Sequence, residues 1–194
     1  MRLSETREKL IEGTIRVISR EGLDKASAKQ IEAETGINVV YIYRCFKDKD
    51  EMFAHVFSVL DKELIDKLNE SLEAGWLPEY SMKERCRKTF DSIWRFLLAE
   101  PDRCTCYLRY YYSRYFQDYS LDSHTQDYKP IVEKISDVFL DEANVWMLLN
   151  HLLRVMLDFS LKVFNKEIGD NEDTSEHVFR LIYNSTSPYF KPEA

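Results

Sequence analysis

The stretch Thr35–Phe53, TGINVVYIYRCFKDKDEMF, constrains the fold more than any other part of this chain. A helical segment stops at Thr35–Gly36, where Gly36 can adopt the positive φ of a sharp turn without steric cost. Asn38 is suited to N-cap a second, very short helix. Ile37, Ile42 and Phe46 are spaced to tuck that helix against its neighbours. Asp48 then caps a further helix, with Glu51 three residues on as in a capping box. Two short helices joined by a tight turn containing Gly describe a helix-turn-helix, a motif that lays its second helix in the DNA major groove.

The rest of the chain carries helical periodicity. Leu10, Ile11, Thr14, Val17 and Ile18 mark an amphipathic helix over 4–21, stopped by Gly22. Ser27 caps 28–35, and the second helix of the motif covers 38–45. Phe53, Phe57, Leu60, Leu64, Leu68 and Leu72 put one apolar stripe along 48–73, ended by Gly75 and Pro78. Residues 81–99 form another helix, with Cys86, Phe90, Ile93 and Leu97 on one face and Trp94 beside it. Pro101 opens a helix over 101–116 that is dense in aromatics. Residues 117–128 read as a loop, and Pro130 starts a helix through Leu140. Val145, Leu149, Leu152, Met156, Phe159 and Val163 define 143–166, whose apolar surface extends nearly all round and so needs cover on several sides. Gly169–Asp170–Asn171 breaks it, and Val178, Leu181 and Ile182 line a last helix over 174–187, closed by Pro188. The sequence contains no strand alternation and no internal repeat. The predicted fold class is therefore all-α, with a three-helix head over residues 1–47 and a larger helical body over residues 48–194.

From Thr6–Arg7, through Gly22, Ser27-x-x-x-Ile31 and Gly36–Ile37, to Ile42-Tyr43-x-x-Phe46-Lys47-Asp48-Lys49-x-x-Met52, residue types and spacing resemble the N-terminal signature of TetR-type transcriptional regulators. Three positions depart from that pattern: Glu32 stands in place of the usual Ala, Asn38 in place of Ser and Val40 in place of Gly. The resemblance implies a homodimer that binds a palindromic double-stranded DNA operator as a repressor and is released by a small-molecule effector. It directs Lys29, Val39, Val40 and Tyr41 toward bases and Tyr43 and Lys49 toward phosphates, with Ser27, Asn38 and Arg44 in support. Lys29 can donate to guanine acceptors, whereas Val39 and Val40 can touch only thymine methyls or groove shape. A body behind such a head encloses an effector pocket, for which the candidates are Phe90, Trp94, Leu97, Tyr107, Leu108, Tyr111, Tyr115, Trp146, Asn150 and Arg154. The last two helices would pair with their two-fold mates through Leu149, Leu152, Met156, Phe159, Val178 and Ile182. The helix over 48–73 would link head and body. The contrasting reading is an all-helical small-molecule-binding or scaffold protein that no longer binds an operator, a possibility kept open by Glu32 and Val40.

A net charge of −7 argues against a DNA binder until its distribution is considered. Residues 1–50 hold 10 Lys and Arg against 9 Asp and Glu, a balance of +1, so the acidic excess lies in the remaining 17 against 25. No apolar run reaches the ~18 residues of a membrane span, and no leader opens the chain, so the expected location is cytoplasmic, without membrane contact. The four cysteines are not expected to form a disulfide framework. Cys104 and Cys106, two apart on a helix, point to different sides and do not suit a shared metal ion. No phosphate loop, nucleophile elbow or HExxH occurs, so neither an enzyme nor a cofactor is expected.

Overall fold

The computed structural model describes residues 3–192. Among them ten α-helices follow one another. They are α1 (Leu3–Glu21), α2 (Ala28–Thr35), α3 (Val39–Cys45), α4 (Lys49–Gly75), α5 (Met82–Ala99), α6 (Pro101–Tyr111), α7 (Arg114–Tyr119), α8 (Leu121–Ser136), α9 (Val145–Phe164) and α10 (Glu172–Thr186). A 3₁₀ turn over Ser187–Tyr189 follows α10. The fold is all-α, and its sole β feature among the described residues is an isolated antiparallel bridge between Phe139 and Phe190.

Contacts divide the chain into two compact units, Met1–Glu63 with Asp102–Thr125, and Leu64–Pro101 with Gln126–Ala194. The division differs from a simple boundary after residue 47. Helix α4 contributes Phe57 and Asp61 to the first unit and Leu68 and Leu72 to the second.

In the first unit α1, α2 and α3 close over Leu10, Ile18, Ile31, Ile42 and Phe46, all buried. The α1–α2 crossing depends on Gly13, because a Cβ there would lie 2.1 Å from Thr35 Cγ2. Thr35 is not free to rotate away, since its hydroxyl donates to the Ile31 carbonyl (2.7 Å) and accepts from the Ile37 amide (3.2 Å). Gly36 sits at φ 68° and returns its N–H to the Glu32 carbonyl, ending α2 in the left-handed conformation that glycine tolerates best.

The aromatic run after Pro101 does not continue as one helix to residue 116. It breaks after Tyr111, and α7 begins anew behind Ser113, whose N–H and hydroxyl both bond the Tyr110 carbonyl. The break lets two short helices wrap their rings around Phe57 of α4. Tyr107, Tyr110 and Phe116 stand 5.1, 4.7 and 5.4 Å from the Phe57 ring, and Tyr111 stacks on Phe116 at 4.2 Å. Edge and offset ring pairs of this kind add to the burial of so much aromatic area. Beside them Asp61, 3% exposed, accepts from the Tyr107 hydroxyl (3.0 Å) and pairs with His124 Nδ1 (2.8 Å). Arg103 of α6 joins three helices by grasping both carboxylate oxygens of Glu63 on α4 at 3.0 Å and Glu12 on α1.

The expected loop over 117–128 is helical, and Pro130 lies inside α8 rather than at its start. A proline ten residues into a helix removes one hydrogen bond and crowds the preceding turn, at about 3 kcal/mol. The stripe His124, Tyr128, Ile131 and Ile135, buried at helical spacing on both sides of the proline, offsets that cost. The helix then ends at Ser136, short of the expected Leu140.

In the second unit α5, α9 and α10 pack together with the end of α4 and most of α8. Three helices here start at side-chain caps: Ser81, with Glu84 completing a capping box, then Asn144 and Asn171. Arg87 of α5 ties α10 through Glu176 and lies 5.0 Å over the Phe179 ring.

Candidate nucleic-acid interface

The surface begins with the caps that set α2 and α3. Ser27 accepts from the Gln30 amide while its own amide donates to Gln30 Oε1, a reciprocal capping box. Asn38 Oδ1 accepts from the Val40 amide at 3.0 Å, and its Nδ2 donates to Glu32 Oε1 at 3.1 Å. The unusual Glu32 thus anchors the residue that starts α3. With Ile42 buried and turned inward, α3 offers Val40 (55% exposed), Tyr41 (41%) and Tyr43 (59%) outward. Three exposed large side chains on a seven-residue helix require a reason, because such groups are normally covered. The Arg44 guanidinium lies 5.1 Å over the Tyr41 ring and steadies both on that face.

Lys49 is the first residue of α4, half-buried, with its ammonium 5.2 Å over the Phe53 ring. The amides around the start of α4 are held by carboxylates, Glu51 N–H by Asp48 at 2.8 Å and Lys47 N–H by Glu51. Attraction for an anion at this point therefore falls to Lys47 and Lys49. Elsewhere in the head, Arg16 and Arg20 are both taken by Glu34, at 2.6 and 3.1 Å, and these hydrogen bonds hold its carboxyl below the usual range. Lys29, Arg44 and Lys47 are exposed and form no ion pair among the described residues. Of the nine residues expected at the interface, Lys29, Asn38, Val40, Tyr41, Tyr43 and Arg44 are exposed and gather on α2 and α3. Ser27 is also exposed but occupied with its cap, whereas Val39 and Lys49 are half-buried. Lys47 is a further candidate beyond these nine, and its place between Arg44 and Lys49 just before a helix start is a readable signal in the sequence.

The residues expected to line an effector pocket divide between the two units. Tyr107, Leu108, Tyr111 and Tyr115 belong to the packed ring cluster of the first unit. Trp94 is buried and stacks on Phe90 at 5.8 Å. Leu97 is buried, and Asn150 donates to the Trp146 carbonyl one turn back. Trp146 packs edge-on against Tyr128, and Arg154 is half-buried. Phe90 alone of the ten borders a cavity of ≈ 80 Å³ within the second unit, whose wall also includes Leu72, Ile135, Leu149, Met156 and Phe179. The six residues expected at a dimer interface divide by burial. Leu149, Met156, Val178 and Ile182 are buried in the chain's own core, whereas Leu152 and Phe159 are half-exposed. The large apolar side chains that α9 and α10 leave exposed are Met147 (65%) and Leu181 (53%). Of the thiols, burial pushes Cys86 up to about 12 and also raises Cys106, which favours the protonated form of both.

Fold and surface together define an all-helical protein whose N-terminal helix-turn-helix presents a short, exposed helix beside the exposed cations Lys29, Arg44 and Lys47. Residues 10–56 match the model for bacterial regulatory proteins of the tetR family. The HTH-type nicotine-responsive transcriptional repressor HdnoR of Paenarthrobacter nicotinovorans is 34% identical over 102 residues, 52% of this chain and 50% of that protein. An uncharacterized HTH-type transcriptional regulator of Haemophilus influenzae is 33% identical over 98 residues, 48% of each. The chain thus spans about half the length of the curated relatives it matches. Among solved structures, a TetR family regulator from Marinobacter aquaeolei VT8 superposes with a TM-score of 0.73 at 14% identity, covering 94% of this chain and 95% of that one. A TetR-family regulator from Haemophilus influenzae gives 0.66 at 19% identity, covering 93% and 96%. Likeness at such identities speaks for the fold alone. Residues 10–56 are thus similar to the DNA-binding domain of the tetR family of bacterial regulatory proteins, and the chain as a whole shares the fold of solved TetR-family regulators.

Proposed function

We propose that this protein is a homodimeric transcriptional repressor that binds a palindromic operator through α3 and is released by a small-molecule effector held in the second unit. The observation that carries the reading is the outward face of α3. Val40, Tyr41, Tyr43 and Arg44 stay exposed beside Lys29, a set of groove-sized, uncharged and cationic groups on one short helix and its neighbour. Val40 and Tyr41 meet base edges and thymine methyls, and Lys29 donates to guanine. The Tyr43 hydroxyl, Lys47 and Lys49 contact phosphates and fix the register. The name of one relative, a nicotine-responsive repressor, supports both repression and an effector. Coupling of typical size, ~1–3 kcal/mol, would weaken operator binding about 5- to 150-fold when effector binds.

The experiment is selection of bound duplexes from a random pool at a stated salt concentration. The expected product is an inverted repeat with half-sites about 10 bp, one helical turn, apart. Recovery of unenriched sequence at every salt concentration would favour the reading as a helical binding protein without an operator.

A further inference from the structure

We infer that the cavity of the second unit takes an uncharged, apolar molecule of roughly five to eight non-hydrogen atoms, a single ring or a short alkyl chain. The inference rests on reading the second unit as a ligand-binding body, and it names the chemistry of that ligand. The size follows from the volume. A water molecule needs roughly 10–15 Å³ of such space, so ≈ 80 Å³ admits several linked heavy atoms but not a fused polycycle.

The chemistry follows from the wall. It contains no Asp, Glu, Lys, Arg or His, and it is made mostly of leucine, isoleucine, methionine and phenylalanine side chains from α4, α5, α8, α9 and α10. Its few polar groups are largely spoken for. Trp76 Nε1 donates to Thr89 Oγ1 at 3.0 Å, and Thr186 Oγ1 donates to the Ile182 carbonyl at 2.9 Å. The Cys86 thiol is held protonated by burial. Water needs two to four polar partners to be stable in a cavity, and this wall does not offer them, so an apolar guest displaces no well-bound water. It gains dispersion contacts with side chains that otherwise face a gap. A carboxylate or ammonium would lose its hydration with nothing to replace it.

The test uses the full chain and two probe pairs that differ in charge, toluene against benzoate and 1-hexanol against hexanoate, at pH 7. Binding is read by thermal melting and by fluorescence of Trp76, which borders the cavity. Each neutral probe is expected to raise Tm saturably and to bind at least tenfold more tightly than its charged counterpart. Leu152→Phe, which fills the cavity from a half-exposed position, and Ile93→Phe, which fills it from the core, are each expected to abolish the response. Nuclear Overhauser effects from toluene to isoleucine, leucine and Met156 methyls locate the probe in the unsubstituted chain. Charged probes binding as well as neutral ones, no response to either neutral probe, or contacts to methyls outside this wall would each overturn the inference. A chain that selects an operator yet ignores toluene and hexanol would fail here alone, leaving the DNA-binding reading intact.

Discussion

Asp61→Ala is expected to lower the unfolding free energy by about 3–5 kcal/mol, the loss typical of breaking a buried, hydrogen-bonded pair. Asp61 is 3% exposed and holds two buried partners at once, the Tyr107 hydroxyl at 3.0 Å and His124 Nδ1 at 2.8 Å. Rings of Phe57, Tyr111 and Phe116 lie around His124 at 6.1, 5.6 and 5.3 Å, so water has poor access to a vacated partner. Each buried donor left without its acceptor costs about 1–3 kcal/mol, and the lost side-chain volume adds to that. Asp61→Asn keeps the volume and one acceptor and should lose about half as much. Urea denaturation read at constant m-value measures both. A loss under about 1 kcal/mol for Asp61→Ala would mean that the aromatic cluster, not the carboxylate, holds α4, α6 and α8 together.

The second large effect is expected from Met147→Glu combined with Leu181→Glu. His151 Nε2 lies 2.9 Å from Ser185 Oγ, which sets α9 and α10 side by side. Met147 is one turn before His151 and Leu181 one turn before Ser185, so the two exposed side chains share an outer face. Because both are already exposed, two glutamates there cost the single chain little, yet four would meet across a two-fold axis. Sedimentation should therefore report a folded monomer. Operator affinity should fall by roughly 10²–10⁴-fold, the avidity contributed by a second linked half-site. A stable dimer from the double variant would put the interface elsewhere.

The head was legible residue by residue because its signals are local. A cap, a glycine turn and a short apolar spacing lie within twenty residues, and each decides one feature of α2, α3 or the start of α4. The body was legible only as a set of helices. Pro130 masked α8, because a proline reads as a helix start when its cost is judged locally. The stripe from His124 to Ile135 that outweighs it gains its energy from distant partners. The six aromatics between Tyr107 and Phe116 exceed what one helical face can bury, so the sequence alone points them toward a pocket. The break at Tyr112–Ser113 resolves the excess by sharing the rings between two helices around Phe57. Likewise, periodicity marked Leu149, Met156, Val178 and Ile182 as an apolar stripe, but it cannot distinguish a core within the chain from an interface between chains.

Whether α3 enters the groove while the start of α4 grips the backbone is decided by operator affinity measured across a range of salt concentrations. Wild type, Lys49→Ala and Val40→Ala are compared on the selected operator and on a scrambled duplex. Lys49→Ala should weaken both duplexes alike and reduce the slope of log K against log salt by about one, the loss of one phosphate contact. Val40→Ala should leave the slope unchanged and narrow the gap between the two duplexes. A Lys49→Ala protein with wild-type affinity and slope at every salt concentration, together with an unchanged preference in Val40→Ala, would contradict that placement of α3 and α4.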